Sequence, residues 1–292
     1  MTTITASMVK ELRERTSAGM LECKKALEAA GGDLEKAVDE LRKRSGAKLD
    51  KVAGRVAAEG IVALASDQNH AFLIELNCET DFVSRGDDFV EFANRLAQLG
   101  LNHKVASIEN FLKLEFDPST HKTVEEARHE LVAKIGENIQ IRRLILVKNP
   151  GHLGTYLHGT RIGTLVALEG GNLELAKDLA MHVAASRPQA IRPEDVSPEL
   201  IAREKEIYIA QVLESGKPAE MAEKIVAGKL NKFLSDISLH GQSFVKDPEK
   251  TVAQLLAQHK AVVVQFIRFE VGEGIEKQTT DFAKEVMEQV RK

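Results

Sequence analysis

The chain has 292 residues, with 40 lysines and arginines against 44 aspartates and glutamates, so its net charge is −4. This balance argues against a protein that coats nucleic acid, and an aromatic fraction of 4% without tryptophan leaves few rings to stack on bases. Apolar residues make up 43% and charged residues 29% of the chain, which is typical of a folded globular protein and excludes disorder as its main state.

The cysteines and the hydropathy pattern exclude two further classes. Cys23 and Cys78 form no CxxC motif, so neither a disulfide framework nor a four-ligand zinc site is expected. No run approaches the roughly 18 to 20 apolar residues that a bilayer crossing needs, and the charged, amphipathic N-terminus does not resemble a signal peptide. We therefore expect a cytosolic protein that carries no cofactor.

The first region, residues 5 to 43, has apolar residues at helical spacing and is predicted to form three short helices. Thr5 is placed to cap the first helix and Asp33 the third. The core of such a unit is too small to support chemistry, so we predict a docking domain over residues 1–54. The stretch from Arg44 to Gly60, rich in Lys, Arg, Ala and Gly, is interpreted as a linker.

From Gly60 the apolar period changes from 3.6 to 2, which predicts strands. Two strands joined by the turn Asp67-Gln68-Asn69 are followed by amphipathic helices and a third strand, and these elements define an α+β unit over residues 55–150. The predicted elements are strands 61–65, 71–76 and 139–147 and helices 87–99 and 123–135.

The same order of elements recurs further along the chain. A strand from Ile162 to Leu168, a helix from Leu173 to Ala185 and a strand from Ala261 to Glu270 follow one another, and the segments IQIRRLIL and VQFIRFEV resemble each other. We infer a duplicated α+β core, whose second copy comprises residues 151–196 and 234–270.

The two copies differ in two places. The first has about nine more residues between its strand and helix, including CETDFVSRGDD. The second carries an insertion at 197–233, predicted to be an antiparallel helical hairpin with Leu200, Ile207 and Leu213 on the inner face of its first helix. A C-terminal helix over about Glu276 to Arg291 is predicted within a module at 271–292.

A search for catalytic motifs argues against an enzyme. The segment VGEGIEK half resembles a dinucleotide-binding turn, but Lys277 replaces the third glycine, and His129-Glu130 is followed by Ala133 where a zinc protease needs its second histidine. His182 is predicted to be a packed core histidine and Cys78 an inert thiol. For Phe82, in a polar loop, the residues alone leave two alternatives: it folds back onto its domain, or it projects as an anchor for a partner.

Six blocks, which follow one another along nearly the whole chain, resemble the bacterial elongation factor Ts family, the nucleotide-exchange factors of the GTPase elongation factor Tu. The blocks are ITASMVKELRERTSAGMLECKKAL at 4–27, NCETDFVSR at 77–85, AKIGENIQIRR at 133–143, YLHGTRIG at 156–163, MHVAASRPQAIRPEDVS at 181–197 and FIRFEVGEGIEK at 266–277.

This resemblance implies an N-terminal domain similar to ubiquitin-associated domains, a two-subdomain core, a coiled-coil hairpin and a C-terminal helical module. It also implies that the protein is an exchange factor and not an enzyme, that it binds elongation factor Tu in GDP-bound and nucleotide-free forms, and that it contacts neither nucleic acid nor membrane directly. A homodimer through the hairpin is left open. The rival interpretation is a translation-associated RNA-binding or adaptor scaffold that uses the basic residues Lys48, Lys51 and Arg55.

The family's exchange motif matches Thr80, Asp81, Phe82 and Val83. The resemblance implies that the phenylalanine wedges between helices of the GTPase while the loop disturbs the bound Mg²⁺.

Other matched positions lie outside that loop. The resemblance implies that His158 acts near the same pocket, and that Lys10, Arg13 and Met20 contact the nucleotide-binding domain of the GTPase. Leu21 stands where the family often has a second methionine, a near-isosteric change that should preserve an apolar contact.

Overall fold

The computed structural model describes residues 4–16, 18–214 and 219–276. The C-terminal helix predicted beyond Glu276 and the hairpin connection at 215–218 lie outside these residues. The fold is α+β, as predicted, with helices and small sheets. Contacts divide the described residues into two units, the first from 4–16, 18–63, 73–145 and 270–276 and the second from 64–72, 146–214 and 219–269. The domain boundaries drawn from the sequence stay predictions.

The first unit begins with three helices, α1 (Ala6–Thr16), α2 (Met20–Ala29) and α3 (Leu34–Ala53). The Thr5 hydroxyl accepts the Met8 N–H at 3.3 Å, and the Asp33 carboxylate accepts the Lys36 N–H at 3.1 Å, so both predicted caps are present. The helices enclose a small core made of Val9, Leu12, Cys23, Ala26, Leu27, Ala37 and Leu41.

The predicted linker at Arg44 to Gly60 is wrong over most of its length, because α3 continues without interruption to Ala53. Lysine, arginine, alanine and leucine are strong helix formers. Of the three glycines in this stretch only Gly46 lies inside α3, where it costs about 1 kcal/mol relative to alanine. The composition was therefore that of an exposed helix and not of a flexible connection.

The first sheet has the strand order β1-β2-β5. Its strands are β1 (Glu59–Ser66), β2 (His70–Cys78) and β5 (Gln140–Lys148). Between β2 and β5 lie α4 (Asp81–Ser84), α5 (Asp87–His103), α6 (Ile108–Leu112), the hairpin β3 (Glu115–Asp117) and β4 (Lys122–Thr123), and α7 (Val124–Ile135). Helix α5 runs four residues past its predicted end at Leu99 and buries Phe89, Phe92, Ala93 and Leu96.

The second sheet has the order β10-β7-β6. Its strands are β6 (His152–His158), β7 (Ile162–Glu169) and β10 (Val262–Glu270). Helix α8 (Leu173–Ser186) packs Leu175, Leu179 and Val183 into the core of this unit. The remaining short elements are β8 (Ser243–Phe244), β9 (Asp247–Thr251) and α11 (Val252–Gln258). In both sheets the second strand of a hairpin pairs with a third strand from further along the chain.

Strand β6 was absent from the prediction, and Gly154 explains why. Glycine weakens a strand pattern in the sequence. Here it is required, because a Cβ atom at Gly154 would overlap the backbone carbonyl group of Ala176 in α8. The close approach of α8 to β6 therefore requires a glycine, and this glycine weakens the strand pattern in the sequence.

Helices α9 (Pro198–Glu214) and α10 (Ala219–Ile237) form the hairpin. They run antiparallel, since Tyr208 packs against Phe233 while Lys229 donates to Gln211 at 2.9 Å. Helix α10 continues four residues beyond the predicted end at Phe233. The predicted inner face is also wrong in part: Leu213 is 64% exposed and Ile207 is exposed, whereas Val212 is buried. The inner face instead follows Tyr208 and Val212, four residues apart.

No helix within the described parts of the chain combines the length and the apolar character that a bilayer crossing requires.

Candidate functional site

The segment that carries Phe82 is a capped helical turn and not an irregular loop. It joins β2 to α5 and contains the four residues of α4, Asp81–Ser84. Thr80 is the N-cap, whose hydroxyl oxygen accepts the Val83 N–H at 3.4 Å, and the buried Ser84 hydroxyl donates to the Asp81 carbonyl at 2.9 Å. Hydrogen bonds at both ends therefore fix the backbone on either side of Phe82.

Phe82 projects into solvent. Its side chain is 85% exposed, whereas Phe89 and Phe92, on the helix that follows, are buried. The folded-back alternative for Phe82 is therefore not the conformation in the structure. We call residues 80–83, Thr80-Asp81-Phe82-Val83, the Phe82 turn.

The carboxylate of Glu137 holds the start of this turn. One of its oxygens, Oε2, accepts the N–H groups of Glu79 at 3.0 Å and of Thr80 at 3.1 Å, and Oε1 accepts the Thr80 hydroxyl at 2.6 Å. In return the Glu79 carboxylate accepts the Asn138 N–H at 2.6 Å. Glu137 lies within the matched block at 133–143, but nothing in the sequence linked it to Thr80, which is 57 residues away in the chain.

Asp81 lies at the protein surface beside Phe82. Its carboxylate pairs with the Arg85 guanidinium at 3.0 Å, and the Arg85 side chain is 79% exposed. Such an exposed pair adds little to stability and exchanges readily for other partners. The Phe82 turn thus presents an apolar ring and a carboxylate side by side.

The N-terminal residues carried by the resemblance are also at the surface. Lys10 and Arg13 are exposed on α1, and Lys10 lies 3.8 Å from the Glu14 carboxylate in an exposed pair. Met20 is 60% and Leu21 is 65% exposed at the start of α2, while Cys23 and Leu27 of the same helix are buried. The core therefore does not use Met20 and Leu21, which leaves them accessible to a partner.

His158 lies on the second unit, whereas the Phe82 turn and the N-terminal helices lie on the first. It ends β6 at the tip of the β6–β7 hairpin, where Gly159 takes the positive φ of 58° that the turn requires. The His158 ring is exposed, and its Nδ1 lies 3.2 Å from the Tyr156 hydroxyl. Leu157 beside it is partly exposed. The hairpin tip therefore displays a second mixed polar and apolar surface.

The buried titratable groups are structural. His182 Nε2 lies 3.0 Å from the Gln242 amide oxygen, and Nδ1 accepts the Val245 N–H at 3.2 Å, so the ring is satisfied as a neutral imidazole, whose pKa burial lowers. Burial, reinforced by the nearby Glu137 carboxylate, raises the pKa of Cys78 to about 12. A thiol with so high a pKa is protonated near neutral pH, which favours low reactivity. His182 is a packed core residue, as predicted, and Cys78 is buried, whereas the inertness of its thiol stays a prediction.

No group of three or more metal-binding side chains is found among residues 4–16, 18–214 and 219–276.

Comparison with known proteins gives one family. The family model described as Elongation factor TS matches residues 79–273, a range that begins immediately before the Phe82 turn and includes His158. An elongation factor Ts from Methylococcus capsulatus is 54% identical over 291 residues, with 99% of each chain covered. One from Thioalkalivibrio sulfidiphilus is 53% identical over 293 residues, again with 99% of each covered. Another, from Coxiella burnetii, is 52% identical over 293 residues, covering 100% of this chain and 99% of the relative.

Proposed function

From the premise that the chain belongs to the elongation factor Ts family, and so acts as a translation elongation factor in nucleotide exchange on elongation factor Tu, we propose how it acts. The Phe82 turn inserts into elongation factor Tu–GDP near the Mg²⁺ and phosphate site, GDP leaves, and GTP rebinds. The observation that carries this proposal is a phenylalanine 85% exposed on a turn whose backbone is fixed on both sides.

The energetics of Phe82 favour a role in binding. Burying a phenylalanine side chain at an interface contributes about 1.5 to 3 kcal/mol, which corresponds to roughly one to two decades in affinity. Because the turn is already ordered by Thr80 and Ser84, little conformational entropy is lost when the ring is buried. The isolated protein thus holds its anchor in a form ready to bind.

An exchange factor needs no catalytic acid or base. A GTPase holds its nucleotide through backbone N–H groups around the phosphates and through Mg²⁺, whose ligands require near-ideal octahedral geometry, so small displacements weaken binding strongly. Binding free energy directed at a state of the GTPase that holds GDP poorly is sufficient. By linkage, GDP weakens the binding of the factor by the same ratio. The protein is therefore a regulator of a GTPase.

Asp81 and the outlying residues complete the proposed interface. The Asp81 carboxylate, exposed beside Phe82, either repels the phosphate or competes for the metal ion. Lys10, Arg13, Met20 and Leu21 dock the nucleotide-binding domain, and His158 contributes a contact from the second unit. The dimer through α9 and α10 stays a prediction.

The test is the release of fluorescent GDP from elongation factor Tu with the variant Phe82→Ala. Release should slow about tenfold or more, since loss of an aromatic anchor costs roughly 2 kcal/mol or more, while the thermal midpoint should hardly change because the ring is exposed. Leu173→Ala, which removes an exposed apolar side chain from the start of α8, is the matched control and should exchange normally. Normal exchange by Phe82→Ala would contradict the proposal.

A further inference from the structure

We propose that Glu137 is a positioning residue for nucleotide exchange: its carboxylate sets the direction in which Phe82 leaves the protein surface. The inference rests on the proposed function of the Phe82 turn and assigns a role to a residue outside the exchange motif.

The Glu137 carboxylate accepts several hydrogen bonds from one short segment. Three hydrogen bonds of 2.6 to 3.1 Å converge on the Glu137 carboxylate, and all three come from Glu79 and Thr80. These two residues lie beyond the end of β2 at Cys78 and directly before α4. Hydrogen bonds to an ionised carboxylate are roughly twice as strong as neutral ones. Glu137 therefore fixes the segment from which Phe82 starts.

The segments around Glu79 and Glu137 also bond to each other in the opposite direction. The Glu79 carboxylate accepts the Asn138 N–H at 2.6 Å while the Glu137 carboxylate accepts the Glu79 N–H at 3.0 Å. A single hydrogen bond would leave the turn free to rotate about it, whereas two crossed bonds with opposite directions fix both distance and orientation. We call this arrangement, formed by Glu79, Thr80, Glu137 and Asn138, the carboxylate clamp.

Contacts to the rest of the first unit hold the clamp in place. Asn138 is only 3% exposed, and its side-chain amide donates to the carbonyl groups of Ala53 at 3.2 Å and Arg55 at 2.7 Å, at the end of α3. Gly136, with a φ of 86°, ends α7 immediately before Glu137. The carboxylate is thus held by a buried neighbour on one side and a helix end on the other.

These contacts serve the turn more directly than the core. Thr80 is exposed and Glu137 is half-buried, so these two members of the clamp lie at the surface. In the chain they hold the segment that leads directly into the exposed Phe82. A functional side chain must be held within about 0.5 Å of its working position by supporting residues of this kind. Loss of the clamp should therefore misdirect Phe82 while leaving the fold intact.

The experiment measures fluorescent GDP release from elongation factor Tu over a range of concentrations of the full-length factor. Glu137→Ala should lower the maximal rate about tenfold, in the range expected for a misplaced functional group. The half-saturating concentration should change less, because the docking residues of α1 and α2 are untouched. Glu137→Gln should have a smaller effect, since it keeps one acceptor oxygen. Glu130→Gln, on α7, the helix directly before Glu137 in the chain, and paired with Lys122 at 2.7 Å, is the matched control and should exchange normally.

Two further measurements separate positioning from stability. Circular dichroism at the assay temperature gives the folded fraction, and a rate for Glu137→Ala that falls only as far as that fraction would overturn the role of Glu137. Hydrogen exchange should show faster exchange of the Glu79, Thr80 and Val83 amides in Glu137→Ala with the rest of the sheet unchanged. Unaltered protection of those amides would also overturn it.

A double-mutant cycle tests whether Glu137 acts through Phe82. The variant with both Phe82→Ala and Glu137→Ala should exchange no slower than Phe82→Ala alone, because a misdirected anchor cannot matter once the ring is gone. Multiplying effects, or slow exchange by Phe82→Ala with normal exchange by Glu137→Ala, would overturn the role of Glu137 only. Normal exchange by Phe82→Ala would overturn the proposed function and this inference with it.

Discussion

The two sheets share their connectivity but differ in how the central strand leads into a helix. Eight residues, 79–86, separate β2 from α5, whereas three residues, 170–172, separate β7 from α8. The first connection is thus five residues longer and not about nine as predicted, chiefly because α5 begins six residues before Ala93 whereas α8 begins three before the matching Ala176. The short connection is a minimal turn: Gly170 and Gly171 take positive φ values of 72° and 66°, and Asn172 caps α8 by accepting the Leu175 N–H at 2.8 Å. The long connection adds a capped helical turn and an exposed phenylalanine. Equivalent places in similar scaffolds thus hold a minimal turn in one case and, in the other, the exposed side chain to which we assign binding.

Rewriting α4 should give the largest effect. With Gly-Ser-Gly-Ser at 81–84, which changes Asp81, Phe82 and Val83 and keeps Ser84, GDP release from elongation factor Tu should slow at least as much as with Phe82→Ala, about tenfold or more. The thermal midpoint should fall by only a few degrees, because Ser84 alone of the four is buried. The same replacement at 118–121, the turn between β3 and β4, serves as control. Equal slowing by both replacements would show that the comparison of connections is misplaced.

The short connection should respond in the opposite way. Asn172→Ala removes the cap of α8 and should reduce the free energy of unfolding by about 1 kcal/mol, measured by urea denaturation, with exchange unchanged in the folded protein. Asn172→Ser, which keeps a capping oxygen, should restore most of the loss. An exchange defect in folded Asn172→Ala would give the short connection a functional role that the comparison denies it.

Asp81→Asn sharpens the account of the long connection. If the carboxylate acts on the metal or the phosphate, its removal should slow GDP release severalfold in excess Mg²⁺, with little effect in chelator. Its exposed pair with Arg85 predicts almost no change in stability. Asp88→Asn, on the first turn of α5 and paired with Lys134 at 2.7 Å, is the control. Equal slowing in chelator and in Mg²⁺ would leave Asp81 as a residue that only shapes the turn.

Protonation of His182, in the second unit, should reduce the stability of the fold at low pH. Burial lowers the pKa of this histidine in the folded protein, whereas in the unfolded chain its pKa is near the ordinary value of 6.5. Below that pH the unfolded form binds a proton that the folded form does not, so stability falls as the pH decreases and is unaffected by this group above it. Unfolding by urea at pH 7.5 and 5.5 should show a smaller loss for His182→Gln than for the parent. His103→Gln, at an exposed site, should leave the loss as in the parent.

Elements with long, regular apolar patterns were predictable, and those set by tertiary contacts were not. The periods of α5 and α8 identified both helices, because their buried residues recur at helical spacing. The four residues of α4 are too few to show a helical period. Strand β6 was not predicted because it contains Gly154, and a glycine is needed there only because the backbone of α8 lies so close. The composition of residues 44–53, rich in lysine, arginine and alanine, predicted a flexible linker, whereas these residues continue α3.

The site was predictable to the same degree. The motif identified Phe82 as a candidate, but only the structure decides between its two alternatives, since exposure depends on the path of the chain around Thr80 and Ser84. Glu137 lies in a matched block, but nothing in the sequence indicated that it contacts the Phe82 turn, because its partners are 57 and 58 residues away. Residues that position others across the sequence need coordinates to be found.

The continuous α3 acts as a lever. It has 20 residues and is about 30 Å long. Asn138 grips the carbonyl groups at its C-terminal end, while Ala37 and Leu41 near its other end join the core shared with α1 and α2. A tilt of about 10° at the gripped end would swing the far end by about 5 Å. The helix has about five and a half turns, so its anchoring at the C-terminal end affects where Met20 and Leu21 lie.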